Sequence, residues 1–156
     1  MSNAKTLASV IGFLAAGFAT VTVATHEGEE RVGYVDIAGI ATKCFGDTND
    51  AVVGKRYTRE ECEASLERQL IAHAEPIMKC TPGLKGRPYA TAASVSLAYN
   101  IGTKAFCNST AARRFNAGDV AGGCSAILMW NKAGGRVVQG LVNRRLNEAA
   151  LCRRDV

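Results

Sequence analysis

The sequence predicts an α+β fold: a small β-hairpin lobe, then a mainly helical lobe, the two preceded by an apolar N-terminal helix. Three observations carry this prediction. Thr6 to Thr25 contain no charged residue. Tyr34 to Phe45 form two short β-prone runs about Ala38-Gly39. Beyond Thr58, apolar residues recur at helical spacing, punctuated by capping residues and glycines.

As one helix, residues 6–25 would span about 30 Å, the thickness of a bilayer's hydrocarbon core. Lys5 precedes the stretch, and Glu27, Glu29 and Glu30 follow it. The positive-inside rule then leaves the N-terminus in the cytoplasm and sends the rest across the inner membrane into the periplasm. The stretch is weakly hydrophobic for a span, with two Gly, five Ala, four Thr and one Ser among its residues. A cleaved signal peptide is the rival, but a cut after Ala24 puts Thr22 where a small residue is wanted. An anchor over 1–25 and a folded domain over 26–156 is the organisation expected.

The hairpin is expected as Tyr34–Ile37 and Ile40–Phe45 with Ala38-Gly39 as its turn. Thr58 and Glu61 form a capping box, and Cys62, Leu66, Leu70 and Ala74 continue that helix until Pro76 ends it. Residues 81–88 read as a loop and Tyr89–Tyr99 as a helix of small residues stopping near Gly102. Ser109 caps a short helix through Phe115, Asp119 another through Trp130. Gly134-Gly135 break the chain, and Val138–Cys152 is the last helix.

The length of 156 residues suits one domain. Nineteen Lys and Arg against fourteen Asp and Glu give a net charge of +5. That balance favours an anionic partner: nucleic acid, an anionic membrane surface or a carboxylate-bearing wall. The basic doublets are scattered with no stripe interleaved with aromatics, which argues against nucleic acid. The six cysteines form an even set with no CxxC pair, and His26 and His73 stand at no finger-like spacing. No metal and no cofactor are expected. Disulfides in an oxidising compartment are, with fifteen pairings open.

Glu27 lies at the end of the apolar stretch, Asp36 nine residues on, and Thr42 six further. A glycosidase needs a carboxylic acid to protonate the leaving oxygen and a carboxylate to guide water. A Glu at a helix end and an Asp in a hairpin can divide those roles, with a Thr hydroxyl orienting the water. That spacing alone is commonplace.

The surrounding residues make it specific. His26-Glu27-Gly28 and Tyr34-x-Asp36-x-x-Gly39-x-x-Thr42-x-x-x-Gly46-x-Thr48 resemble the signature of phage-type lysozymes of glycoside hydrolase family 24. The resemblance continues through Tyr57-Thr58-x-x-Glu61-Cys62, Tyr99-Asn100-x-Gly102, Phe115-Asn116-x-Gly118-Asp119, Trp130-x-x-Ala133-Gly134-Gly135 and Arg144-Arg145-x-x-Glu148. It implies that Glu27 is the general acid and that Asp36 and Thr42 position the attacking water. It also implies hydrolysis, with inversion, of the β-1,4 bond between N-acetylmuramic acid and N-acetylglucosamine in peptidoglycan glycan strands, by a monomer, for host lysis. Two positions depart from the pattern: Asp47 stands where the family usually has His, and Lys43 where it is commonly apolar. Both put local hairpin packing in question. The N-terminus resembles signal-anchor-release endolysins, which implies an enzyme held inactive at the membrane and later freed.

A lytic transglycosylase would need the acid but no water, so Asp36 and Thr42 speak against it. A non-catalytic wall-binding lysis protein would not need the trio. Trp130, Phe106, Phe115 and Tyr99 are expected in the core, Arg144 and Arg145 on a solvated or salt-bridged helix face, and His26 and His73 are expected to be incidental.

Overall fold

The computed structural model describes residues 3–156. Its apolar N-terminal stretch is two helices, α1 (Leu7–Ile11) and α2 (Phe13–Glu27), rather than the single one expected. Gly12 makes the break. Its φ of +86° suits glycine, its N–H closes α1 on Ala8 O, and its carbonyl opens α2 by accepting from Ala16. Among the described residues, no helix is long and apolar enough to cross a membrane.

The first hairpin is β1 (Glu30–Val35) and β2 (Ala41–Cys44), antiparallel, with Tyr34 opposite Thr42 and Val35 opposite Ala41. The first strand begins and ends earlier than expected, and Asp36 sets its end. Asp36 Oδ1 accepts from the N–H groups of Ala38 and Ile40, a side-chain turn that replaces the ladder. The second strand ends at Cys44, which turns into the left-handed region at φ +55°. Along β1's far edge the Tyr57 N–H donates to Arg31 O and the Lys55 carbonyl accepts. There the Gly33 N–H donates to Lys55 O, and a Cβ at Gly33 would strike Val52 O.

The helical lobe comprises α3 (Arg59–Cys80), α4 (Pro88–Ile101), α5 (Thr103–Cys107), α6 (Thr110–Asn116), α7 (Val120–Ile127) and α8 (Gln139–Cys152). A short hairpin of β3 (Lys132–Ala133) and β4 (Arg136–Val137) precedes α8. The capping box at Thr58 and Glu61 forms as its spacing predicts. Pro76 does not end α3. Ala72, whose carbonyl loses its partner there, is exposed to solvent, while Ile77 is buried one residue beyond and Cys80 is tied to Cys107. Packing and the cross-link carry the helix past the proline.

The central helix is α4, whose residues from Ala90 to Ala98 are all buried. It packs on α2, α3 and α8. Ala16, Ala19 and Val23 of α2 and Leu7 of α1 share one core cluster with it, and Ala15 is fully buried as well. Small residues on both α2 and α4 let the two helices approach closely. The cysteines pair in chain order: Cys44 with Cys62, Cys80 with Cys107, and Cys124 with Cys152.

Candidate active site

Glu27 is the last residue of α2, and Gly28, at φ +69°, turns the chain directly into the hairpin. The proposed acid is therefore held by the helical lobe while facing the β lobe. Its Oε1 accepts from Arg144 Nη1 at 2.6 Å. A methyl group at Gly46 would stand 3.6 Å from its Oε2, so the bare backbone of the turn after β2 borders that oxygen.

Arg144 and Arg145 are buried, not solvated. Their salt-bridged half of the expectation holds: both bind Glu148, which is fully buried, with Arg144 Nε 3.1 Å from Oε1 and Arg145 Nε 2.7 Å from Oε2. Ser96 Oγ also donates to Glu148 Oε1, and Arg144 Nη2 donates to Ser96 O. The physical reason for burial is mutual. Each cation has a carboxylate within reach, and further donors meet oxygens of α4 and of the loop before β3: Ser96 O for Arg144, and Asn100 Oδ1 and Trp130 O for Arg145. Arg144 is thus the residue the sequence reading missed. The signal was the spacing Arg144-Arg145-x-x-Glu148, which puts both cations within one helical turn of a carboxylate.

Asp36 and Thr42 meet across one residue, Ile40. Asp36 Oδ1 accepts from Ile40 N–H at 2.8 Å, and Thr42 Oγ1 donates to Ile40 O at 3.0 Å. Both backbone bonds to Asp36 fall on Oδ1. Thr42, buried on β2, spends its proton on Ile40 and keeps its oxygen lone pairs as acceptors.

The aromatics and histidines sort by environment. Phe106 and Phe115 are core, as expected. Tyr99 and Trp130 are half-buried against it. Tyr99 donates to Phe45 O at 2.7 Å and stacks on His73. Burial, then the Glu27 and Asp47 carboxylates, hold the Tyr99 hydroxyl well above the usual tyrosine range, so it stays a donor. His26, next to Glu27, is pushed below its usual range, first by burial and then by Arg144. The two departures from the family pattern meet each other: Lys43 Nζ lies 3.9 Å from Asp47 Oδ2.

The phage lysozyme family profile matches residues 24–148. A protein named SAR-endolysin, from Enterobacteria phage P21, is 37% identical over 160 aligned residues, covering 95% of this chain and 93% of that one. The solved endolysin from Escherichia coli O157:H7 phage FAHEc1 superposes with a TM-score of 0.80 at 30% identity, over 89% of this chain and 92% of that one. The muramidase domain of SpmX from Asticaccaulis excentricus gives 0.72 at 28% identity, over 85% and 92%. With the hairpin, the central helix and the match from residue 24 through Glu148 all in agreement, the chain belongs to the phage lysozyme family.

Proposed function

We propose that this endolysin hydrolyses the β-1,4 bond between N-acetylmuramic acid and N-acetylglucosamine with Glu27 as general acid and a water held by Asp36 and Thr42. The family makes the chain a glycoside hydrolase acting on peptidoglycan for host lysis. The observation that carries it is the division of labour around the hairpin. Arg144 takes Oε1 of Glu27, so the transferable proton sits on Oε2, on the side bordered by Gly46. Asp36 offers Oδ2, and Thr42 an acceptor oxygen, to one water. Attack by that water, rather than by the carboxylate, inverts the anomeric centre.

Residues 1–25 anchor the new chain in the host inner membrane, N-terminus in the cytoplasm, and residues 26–156 form the catalytic domain in the periplasm as a monomer. On leaving the bilayer, α1 and α2 fold onto α3 and α4, and Glu27 comes to its place. Supporting this, α2 runs unbroken across residue 25 to Glu27, so the stretch read as an anchor is also the arm that carries the acid. Thr20 and Thr25 donate their hydroxyls to the carbonyls of Ala16 and Val21, which suits a helix that must be tolerable in lipid and in a core.

Glu27→Gln is the direct test. It keeps the shape and removes the transferable proton, so clearing of purified cell walls is expected to fall by at least about 100-fold, with the fold intact by circular dichroism. Clearing near the wild-type rate would refute the assignment. Asp36→Asn, which keeps the Oδ1 acceptor of the turn, and Thr42→Ala are expected to lose turnover severely, far beyond any fall in melting temperature.

A further inference from the structure

The turn from Lys43 to Asp47 is held from every side. Its ends close on each other through two backbone bonds, Lys43 N–H to Asp47 O at 2.8 Å and Asp47 N–H to Lys43 O at 2.9 Å. Its interior needs two positive-φ residues: Cys44 at +55°, a conformation non-glycine residues rarely adopt, and Gly46 at +83°, which glycine adopts freely. Each residue between the ends meets a different helix: Cys44 is cross-linked to Cys62 of α3, Phe45 O accepts from Tyr99 of α4, and Gly46 borders Glu27 of α2.

Beneath the turn lies a buried ion pair. Asp47 is 2% exposed and Lys43 9%. Asp47 Oδ1 accepts from Gln69 Nε2 and Asn49 N–H, its Oδ2 accepts from Ser65 Oγ, and Lys43 Nζ completes the set at 3.9 Å. The Lys43 ammonium also lies 5.0 Å from the centre of the Tyr57 ring. Three hydrogen bonds and an ion pair on one buried carboxylate make a rigid support, and nothing in the acid or water roles requires it.

We propose that Asp47 is a positioning residue: paired with Lys43 and anchored to α3, it fixes the turn so that Gly46 stands against Glu27 Oε2 and Thr42, next to Lys43, keeps its place. It touches no substrate. This rests on the reading of Glu27 as the acid. The two catalytic carboxylates come from different lobes, and this turn is where the β lobe meets the end of α2. A turn free to relax its two positive-φ residues would let the lobes shift against each other, and misplacement of about 1 Å costs rate far more than affinity.

The test is turnover of solubilised peptidoglycan strands by Asp47→Asn, by Lys43→Met, and by the double variant Lys43→Met/Asp47→Asn, with kcat expressed per folded molecule from near-ultraviolet circular dichroism. Each single variant is expected to lower kcat on the order of 10–100-fold with KM within about twofold. The double variant, which removes both buried charges together, is expected to regain melting temperature but not kcat. It also serves where a single variant does not fold. Wild-type kcat in folded Asp47→Asn, or recovery of kcat along with melting temperature in the double variant, would show the pair to be structural only and overturn the proposal. Glu27→Gln, run in parallel, separates the two ideas. If it is active, the acid assignment falls and this one with it; if it is dead while Asp47→Asn is fully active, only the positioning role falls.

Discussion

Arg144 reaches Glu27 from 117 positions away and holds three partners with three different nitrogens: Glu27 through Nη1, Glu148 through Nε and Ser96 O through Nη2. A guanidinium can do this because its donors are fixed in a plane; an ammonium is a single point of charge. Arg144→Lys is therefore expected to behave almost as badly as Arg144→Ala. Removing one partner from a buried charge cluster leaves Glu148 under-compensated, a loss of about 3–5 kcal/mol, and it frees Glu27 to turn away. Denaturant unfolding and wall clearing, measured on both variants, check this; Arg144→Lys with wild-type activity would show that only charge matters there. Residue types near the hairpin made Glu27, Asp36 and Thr42 legible as candidates, since their order and spacing are local. Arg144 was not legible as their neighbour. Charged residues default to the surface, and no local pattern tells which helix will cross beneath a residue so far back in the chain.

Among the elements, α2 determines most. It ends at Glu27 with His26 half-buried beside Arg144, and burial and that cation hold His26 below its usual value of 6.5. The sign follows directly. The unfolded chain takes up a proton at His26 more readily than the folded one, so the contribution to stability is full above about pH 6.5 and is lost as pH falls below it. The melting temperature of the wild type should decline through that range, and His26→Gln should flatten part of the decline; equally steep curves for both would contradict the account. The elements themselves were read well where the signal was local, as at the capping box of Thr58 and Glu61 or the N-caps Ser109 and Asp119. They were misjudged where tertiary forces overrode it. Pro76 should stop α3 and does not, because Ile77 is buried beyond it and Cys80 is cross-linked. Gly12, in a stretch read as one helix, breaks it in two. The disulfide pairing could not be chosen among fifteen from spacing; the fold chooses consecutive partners because α3 lies against β2 and α5, and α8 against α7.

For the whole molecule, the low hydrophobicity of residues 6–25 has two consequences that support each other. In a bilayer, the Gly, Ala and Thr content makes insertion marginal. In the globule, the same small residues let α2 lie close on α4, with Ala15 and Ala19 fully buried. Only one face of α2 is used, however, and Phe13 remains 89% exposed. Replacements that test release must spare the packed face, which excludes Ala15, Ala16 and Ala19. Gly17 and Thr25 are exposed, and a Cβ at Gly17 would meet nothing within 4 Å. Gly17→Leu with Thr25→Leu should strengthen retention, each Leu favouring insertion by about 0.5 kcal/mol, without disturbing the fold. The variant is expected to stay in the membrane fraction and delay lysis; lysis on schedule would show that release does not control activity. A wild-type chain recovered from the periplasm shortened to begin near Thr25 would instead make the stretch a cleaved signal.

The account's central claim is that Glu27 drives hydrolysis, with water entering the product. Digesting purified peptidoglycan and weighing the fragments tests it most directly. The wild type is predicted to release strands ending in a reducing muramic acid, heavier by one water than the corresponding anhydro form, and Glu27→Gln to release none above background. Anhydro ends from the wild type, or hydrated ends released at a comparable rate by Glu27→Gln, would contradict it.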